Sequence, residues 1–346
     1  MNRTIMCLIA GTCFGVASGL FGGEVLRGGG ATFPHPLYQA WFEQYRQEKG
    51  DTKILYEAVG SGAGIQLLLD RQCDFGASDA FLSEEDLKKA PAPILHMPTC
   101  IGAVAIVYRL SDNPVLRFTP DLLARVFMGE IKKWNDPRLS AVNPGVRLPN
   151  LDIALVHRSD SSGTTSIFTD YLSKVNDAWK EQVGQGKTVK WPSGMGVEGN
   201  AQLAQMIKEV DGSIGYVEMN FAAKEKLAVA QVRNRAGNYI VPGLEAVTLA
   251  AGVDLPADLR QMLTDTAAPQ GYPISGFSYL IFYKEQAYDK RTPQQAMALA
   301  RFLWWAVHAG QIHNSGLHYG ALPKEAITKA EIVLRQMTFD GKKLLD

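Results

Sequence analysis

Four times along the chain a β-rich stretch gives way to a helical pattern through a short run of glycine and hydroxyl residues, and this recurring junction restricts the fold more than any other feature. Gly28 to Phe33 reads GGGATF, Gly60 to Gly64 reads GSGAG, Phe75 to Asp79 reads FGASD, and Arg158 to Thr165 reads RSDSSGTT. Strands alternating with helices imply α/β sheets with mostly parallel strands. In such sheets ligands sit outside the carboxyl ends of the strands, which is where these junctions fall. No solenoid-length repeat and no low-complexity segment interrupts the pattern.

The same periodicities place the elements. Lys53 to Val59 reads as a strand, Gly64 to Arg71 as a buried helical turn, and Cys73 to Ala77 as the next strand. Ser83 followed by Glu84, Glu85 and Asp86 marks a helix start, the acids matching the helix dipole. Ile94 to Tyr108 is a long β-rich run containing Pro98 and Gly102, which suggests a strand that bends or crosses between two lobes. Farther on, Thr119-Pro120 opens a helix, Asp152 to His157 is a strand, and Thr164 to Val175 and Asn200 to Val210 are helices. Ser213 to Val217 and Tyr279 to Tyr283 are strands, and the return crossover is expected just before the latter, near Gly276. Thr292-Pro293 opens a helix that stops at Gly310, and Pro323 opens the last one.

Each glycine-hydroxyl junction ends at a helix N-terminus, whose first amides lack intrahelical acceptors and carry the positive end of the dipole. Glycine lets an anion approach these amides closely, and Ser or Thr hydroxyls add donors. Any one junction alone is better explained as a capped helix start. Four together outline an oxyanion cradle, and two residues resist the capping explanation. Arg158 is a cation at a strand end, able to present paired donors to an oxyanion. Asp79 is a carboxylate among donors, which makes sense only for an anion that carries a proton. Such a group would accept a hydrogen bond from a protonated phosphate and repel fully ionised sulfate.

The overall charge agrees with capture by local donors. Thirty-five Lys and Arg oppose 35 Asp and Glu in 346 residues, so the long-range positive field of nucleic-acid-binding and polybasic membrane proteins is missing. With 46% apolar and 20% charged residues the chain is neither disordered, collagen-like nor coiled-coil. Near the N-terminus, Asn2-Arg3 precedes an apolar and small-residue run from Thr4 to Phe21, which reads as a secretory signal over residues 1–23, with an uncleaved anchor as the alternative. Export would leave Cys73 and Cys100 in an oxidising compartment, either as a disulfide or as two buried thiols.

The segments GGGATFPHPLY (28–38), GSGAG (60–64), DFGASDAFLS (74–83), HRSDSSGTTSIFTDYL (157–172), VKWPSGMGVEGN (189–200) and GSIGYVE (212–218) follow one another across essentially the whole mature chain. In that combination the sequence resembles the periplasmic phosphate-binding proteins of phosphate-specific ABC transporters. The resemblance implies an α/β, two-lobed type II binding-protein fold, each lobe a mixed sheet flanked by helices and the two joined by crossover hinge strands. Lobe I would hold 24–101 plus 272–346 and lobe II 102–271. It further implies that Ala31, Thr32 and Phe33 supply backbone and hydroxyl donors, Ser61 a donor at a helix start, and Asp79 the acceptor. Arg158 would be the one charged donor, with Asp160 holding its guanidinium and Ser162, Gly163 and Thr164 forming the helix N-terminus of the second lobe. By the same resemblance the protein performs no bond chemistry and uses no cofactor or metal. It would work in the periplasm as a monomer, without nucleic acid, and deliver phosphate to an inner-membrane permease with transmembrane subunits and a cytoplasmic ATPase. Two positions depart from the family pattern: Gly62, where a second serine often stands, and His35, where alanine is common and where an effect on affinity above pH 7 is worth testing.

Other motifs carry less. Gly194 to Gly199 spells GxGxxG, but Trp191-Pro192 breaks the strand that a dinucleotide fingerprint needs. Gly186-Lys187-Thr188 ends like a Walker A loop, yet Glu181 stands where its first glycine belongs. The enzymatic alternative is a secreted phosphatase using Ser162 or Thr164 as nucleophile. No histidine spacing for a metal and no convincing general base accompany it.

Overall fold

The structure is a computed structural model that describes residues 23–50 and 52–346. The expected signal segment therefore lies outside the described residues, apart from Gly23. The main-sheet strands are β1 (Glu24–Gly30), β2 (Thr52–Ala58), β3 (Phe75–Ser78), β4 (Ile94–Tyr108), β5 (Ala154–Arg158), β6 (Met195–Val197), β7 (Ser213–Glu218) and β8 (Ile274–Tyr283). Their spatial order is β2-β1-β3-β8-β4-β7-β5-β6.

Two parallel groups flank an antiparallel middle. β1 pairs parallel with β2 and β3, and β5 pairs parallel with β6 and β7, as the strand-helix alternation predicts. The three pairings between them, β3 with β8, β8 with β4 and β4 with β7, are antiparallel, because β4 and β8 run from one half of the molecule toward the other in opposite directions. β4 changes partner on the way: Ile94 to Ala103 face β8, and Val104 to Tyr108 face β7. Pro98, which has no N–H to give, sits at the register shift in the β4–β8 ladder. The return strand begins at Ile274, five residues ahead of the expected start, with Gly276 inside it. A Cβ on Gly276 would stand 2.4 Å from Ile167 Cδ1, so this glycine makes room for a side chain and does not break the strand.

The helix starts follow their capping signals. Ser83 and Asp86 form a reciprocal capping box, as do Thr292 and Gln295, and Thr119 caps the Pro120–Phe127 helix. The Pro293–Val307 helix packs on the His35–Lys49 helix through aromatic edges, Trp41 against Trp305 at 6.1 Å and Tyr45 against Phe302 at 5.4 Å. On the other half, Leu203, Ala204 and Ile207 of the Gly199–Glu209 helix cover Ala105, Val156 and Val217 of the sheet. Each large side chain so buried contributes about 1.5–3 kcal/mol. Cys73 and Cys100 are free and buried, the thiol alternative; burial pushes Cys73 up to about 12 and Cys100 well above its ordinary value. Among the described residues no helix is long and apolar enough to cross a membrane.

Candidate anion-binding site

At the end of β1, Gly30 has φ +137°, and a Cβ there would lie 2.1 Å from the Ala77 carbonyl oxygen. Only glycine lets the chain pass this close to β3. Beyond it, the Ala31 N–H donates to the Ala77 carbonyl at 2.9 Å, the Tyr56 hydroxyl donates to the Ala31 carbonyl at 2.7 Å, and Tyr319 Oη lies 2.7 Å from the Phe33 carbonyl oxygen. These bonds pin the turn that carries Thr32. They also correct one expectation: the Ala31 amide is taken up by the sheet, so Ala31 positions the turn and its N–H is not offered to a ligand.

Ser61 begins the Ser61–Leu69 helix and Asp79 follows β3, and both are buried. Ser61 Oγ donates to Asp79 Oδ2 at 3.3 Å, and Ser278 Oγ on β8 donates to Asp79 Oδ1. Burial pushes the Asp79 pKa up to about 7, against the pull of Ser278, Ser61 and the Arg158 charge. The carboxylate faces hydroxyls and is titratable near neutrality.

Arg158 ends β5 with its side chain 1% exposed. Its Nε donates to Asp160 Oδ1 at 2.6 Å and its Nη2 to Asp160 Oδ2, a fork that fixes the guanidinium plane. Nη1 reaches Thr164 Oγ1 at 3.5 Å, and the Gly199 N–H also donates to Asp160 Oδ1, at 3.2 Å. Ser162 caps the Gly163–Val175 helix by accepting the Thr165 N–H at 3.1 Å. Its own N–H goes to the Lys187 carbonyl at 2.9 Å, so the Ser162 amide, like that of Ala31, serves the fold, and its hydroxyl proton is what it can offer. Gly163 and Thr164 carry the first-turn amides, which have no intrahelical acceptor.

The two halves touch across this site. A Cβ on Gly163 would stand 2.3 Å from Ser61 Oγ and 2.5 Å from Asp79 Oδ2, so only a bare backbone fits there. The Gly62 N–H donates to the Ser161 carbonyl at 2.9 Å, and a Cβ on Gly62 would fall 1.9 Å from Ser161 Oγ. Glycine at 62, a departure in the sequence, is thus matched by the serine opposite it.

Several participants are absent from the sequence reading. Ser278 lies in the middle of a hydrophobic strand. Asn200, wholly buried, donates from Nδ2 to Thr32 Oγ1 at 2.9 Å and to Thr164 Oγ1 at 3.1 Å. It sits at the end of the discounted GxGxxG, whose last glycine starts its helix. Glu218 is a second fully buried carboxyl, its Oε2 accepting the Asn220 N–H at 2.8 Å and lying 3.0 Å from Tyr319 Oη. Tyr319 has one proton, and the Phe33 carbonyl can only accept it. Burial holds the Glu218 pKa well above the usual carboxylate range, against the pull of the Asn220 N–H and the Tyr319 hydroxyl. His35 stacks on Tyr56, and burial lowers its pKa, so it is neutral above pH 7 and does not titrate there.

The arrangement offers an anion many neutral donors and one cation already matched by its own carboxylate. Among the described residues no group of three or more His, Cys, Asp or Glu could hold a metal ion. His157, the histidine nearest Arg158 in sequence, stacks on Trp191 with ring centroids 4.8 Å apart.

Residues 16–307 match the PBP superfamily domain. The phosphate-binding protein PstS of Pasteurella multocida is 37% identical over 328 residues, 93% of each chain. That of Haemophilus influenzae is 37% identical over 308 residues, 88% of this chain and 90% of its own. The crystal structure of a phosphate-binding protein from Stenotrophomonas maltophilia has the same fold, with a TM-score of 0.66 at 18% identity, covering 90% of this chain and 93% of that one. The chain therefore belongs to the PBP superfamily and, within it, to the PstS phosphate-binding proteins, a family of solute-binding proteins and not of enzymes.

Proposed function

We propose that this protein binds one inorganic phosphate between its two lobes, 24–101 plus 272–346 and 102–271, and hands it to an inner-membrane ABC permease of transmembrane subunits and a cytoplasmic ATPase. It acts in the periplasm as a monomer, exported by residues 1–23. The ligand takes donors from the amides and hydroxyls of Thr32, Phe33, Ser61, Gly163 and Thr164, from the Ser162 hydroxyl and from Arg158, which Asp160 orients.

One observation carries this reading: a buried carboxylate, Asp79, stands among donors and opposite a buried Arg158. An anion that brings its own proton resolves that conflict, and one without a proton does not. Donors held at fixed positions in a water-poor cleft act more strongly on the ligand than they would in water. Calorimetric titration of ligand-free protein with phosphate, arsenate, sulfate and organic phosphates tests the reading. Well above pH 7, where Asp79 is ionised, tight binding of phosphate with no response to sulfate is the expected result; equal affinity for sulfate there, or preference for an organic phosphate, overturns it.

A further inference from the structure

The orientation of Asn200 is fixed by a group that leaves no choice. The Glu218 backbone N–H lies 3.0 Å from its Oδ1 and can only donate, so Oδ1 must face Glu218 and the amide NH2 must face the threonines. Its two protons then go to Thr32 Oγ1 and Thr164 Oγ1, one hydroxyl on each side of the site. Both threonine oxygens become acceptors toward Asn200, and neither can return its proton there. Arg158 Nη1, the other neighbour of Thr164 Oγ1, is also a pure donor. Each hydroxyl proton must therefore point away from these groups.

We propose that Asn200 is a positioning residue that turns the hydroxyl protons of Thr32 and Thr164 toward the bound oxyanion, and that the same side chain clasps the two halves together. The proposal rests on the reading of this cleft as a phosphate site. A hydroxyl free to rotate must be frozen on binding, and Asn200 removes that cost on both sides at once. Because Asn200 bonds both threonines, its effect on affinity has to depend on their hydroxyls, which an asparagine whose role ended at the Glu218 N–H would not require.

A double-mutant cycle reads that dependence. Phosphate affinity is measured for the wild type, Asn200→Ala, Thr32→Val and the double variant, with unfolding midpoints in the absence of phosphate as the control for folding. Asn200→Ala is expected to weaken phosphate about tenfold in the wild-type background and less than about threefold once Thr32 has lost its hydroxyl. Should Asn200→Ala not fold, Asn200→Asp keeps the acceptor for the Glu218 N–H but has no N–H to give and turns the threonine hydroxyl protons toward its own carboxylate, so its loss should likewise shrink once Thr32 lacks its hydroxyl. Equal losses with and without the Thr32 hydroxyl overturn the positioning role while leaving phosphate binding intact. A wild-type protein that takes up no phosphate overturns the underlying reading, and this role with it.

Discussion

On the side built by β1, β3 and β8 the buried charge is a carboxylate, Asp79, bonded to the hydroxyls of Ser61 and Ser278. On the side built by β5 and the Gly163–Val175 helix, a buried guanidinium is locked in a fork to its own carboxylate, Asp160. On the proposed reading the second arrangement would serve any oxyanion alike, since Asp160 holds Arg158 in one orientation. The first depends on protons: with its pKa near 7, Asp79 changes from donor to acceptor within the range where phosphate itself gains and loses a proton. On the proposed reading, one side would supply strength and the other would decide identity.

The division breaks first at Arg158. Replacing it with Ala leaves Asp160 without its partner and should weaken phosphate by at least about 1.5–3 kcal/mol, with sulfate and arsenate losing comparable amounts in parallel titrations. A loss confined to phosphate would mean that Arg158 also selects.

Asp79→Asn should act on the ratio of affinities. The gap between phosphate and sulfate is expected to narrow by about 1–3 kcal/mol, chiefly because sulfate gains. The wild type should show the same tendency with pH. Below about 7 the protonated Asp79 can donate to sulfate, so discrimination falls as pH drops, and above it the ionised form accepts from phosphate and repels sulfate. In Asp79→Asn the part of that pH dependence due to Asp79 should vanish, leaving only the titration of phosphate itself. A ratio that stays constant with pH in the wild type assigns selectivity elsewhere.

The smallest effect concerns the contact between the sides. Gly62→Ser should cost about 1–2 kcal/mol of phosphate affinity by pushing against Ser161, and adding Ser161→Gly should recover most of it. Failure of the second change to compensate would show that the two positions are not matched.

The two sides also differ in how far they could be read from the sequence. Thr32, Ser61, Asp79, Arg158, Asp160 and Gly163 stand at strand-to-helix junctions, where glycine and hydroxyl residues advertise a backbone that must come close to something. The caps at Ser83, Thr119 and Thr292 are local in the same way. Ser278 gave no such signal, because it lies within a fully buried strand and meets Asp79 across 199 positions of sequence. Asn200 was hidden by looking like an ordinary helix start, and Tyr319 by belonging to a turn far from any junction. The amide of Ala31 differs from expectation for the opposite reason: it lies in the right motif, but the Ala77 carbonyl takes it, as the Lys187 carbonyl takes that of Ser162. Junction chemistry is local, whereas the supporting bonds follow from topology. The antiparallel middle of the sheet was likewise invisible to strand-helix alternation, which describes only the flanking groups.

The position of β8 between β3 and β4 bears on the order of events when the chain folds. β3 ends at Ser78 and β4 at Tyr108, but the strand that must lie between them is not reached until Ile274 to Tyr283. As the chain grows from its N-terminus, its first three β-elements can pair with one another, yet the centre of the sheet remains open for more than half the length of the protein. Contacts this distant in sequence close slowly. Ser278, 199 positions after Asp79, is one of the two hydroxyls that bond its carboxylate, so the surroundings of Asp79 are completed only once β8 has been made.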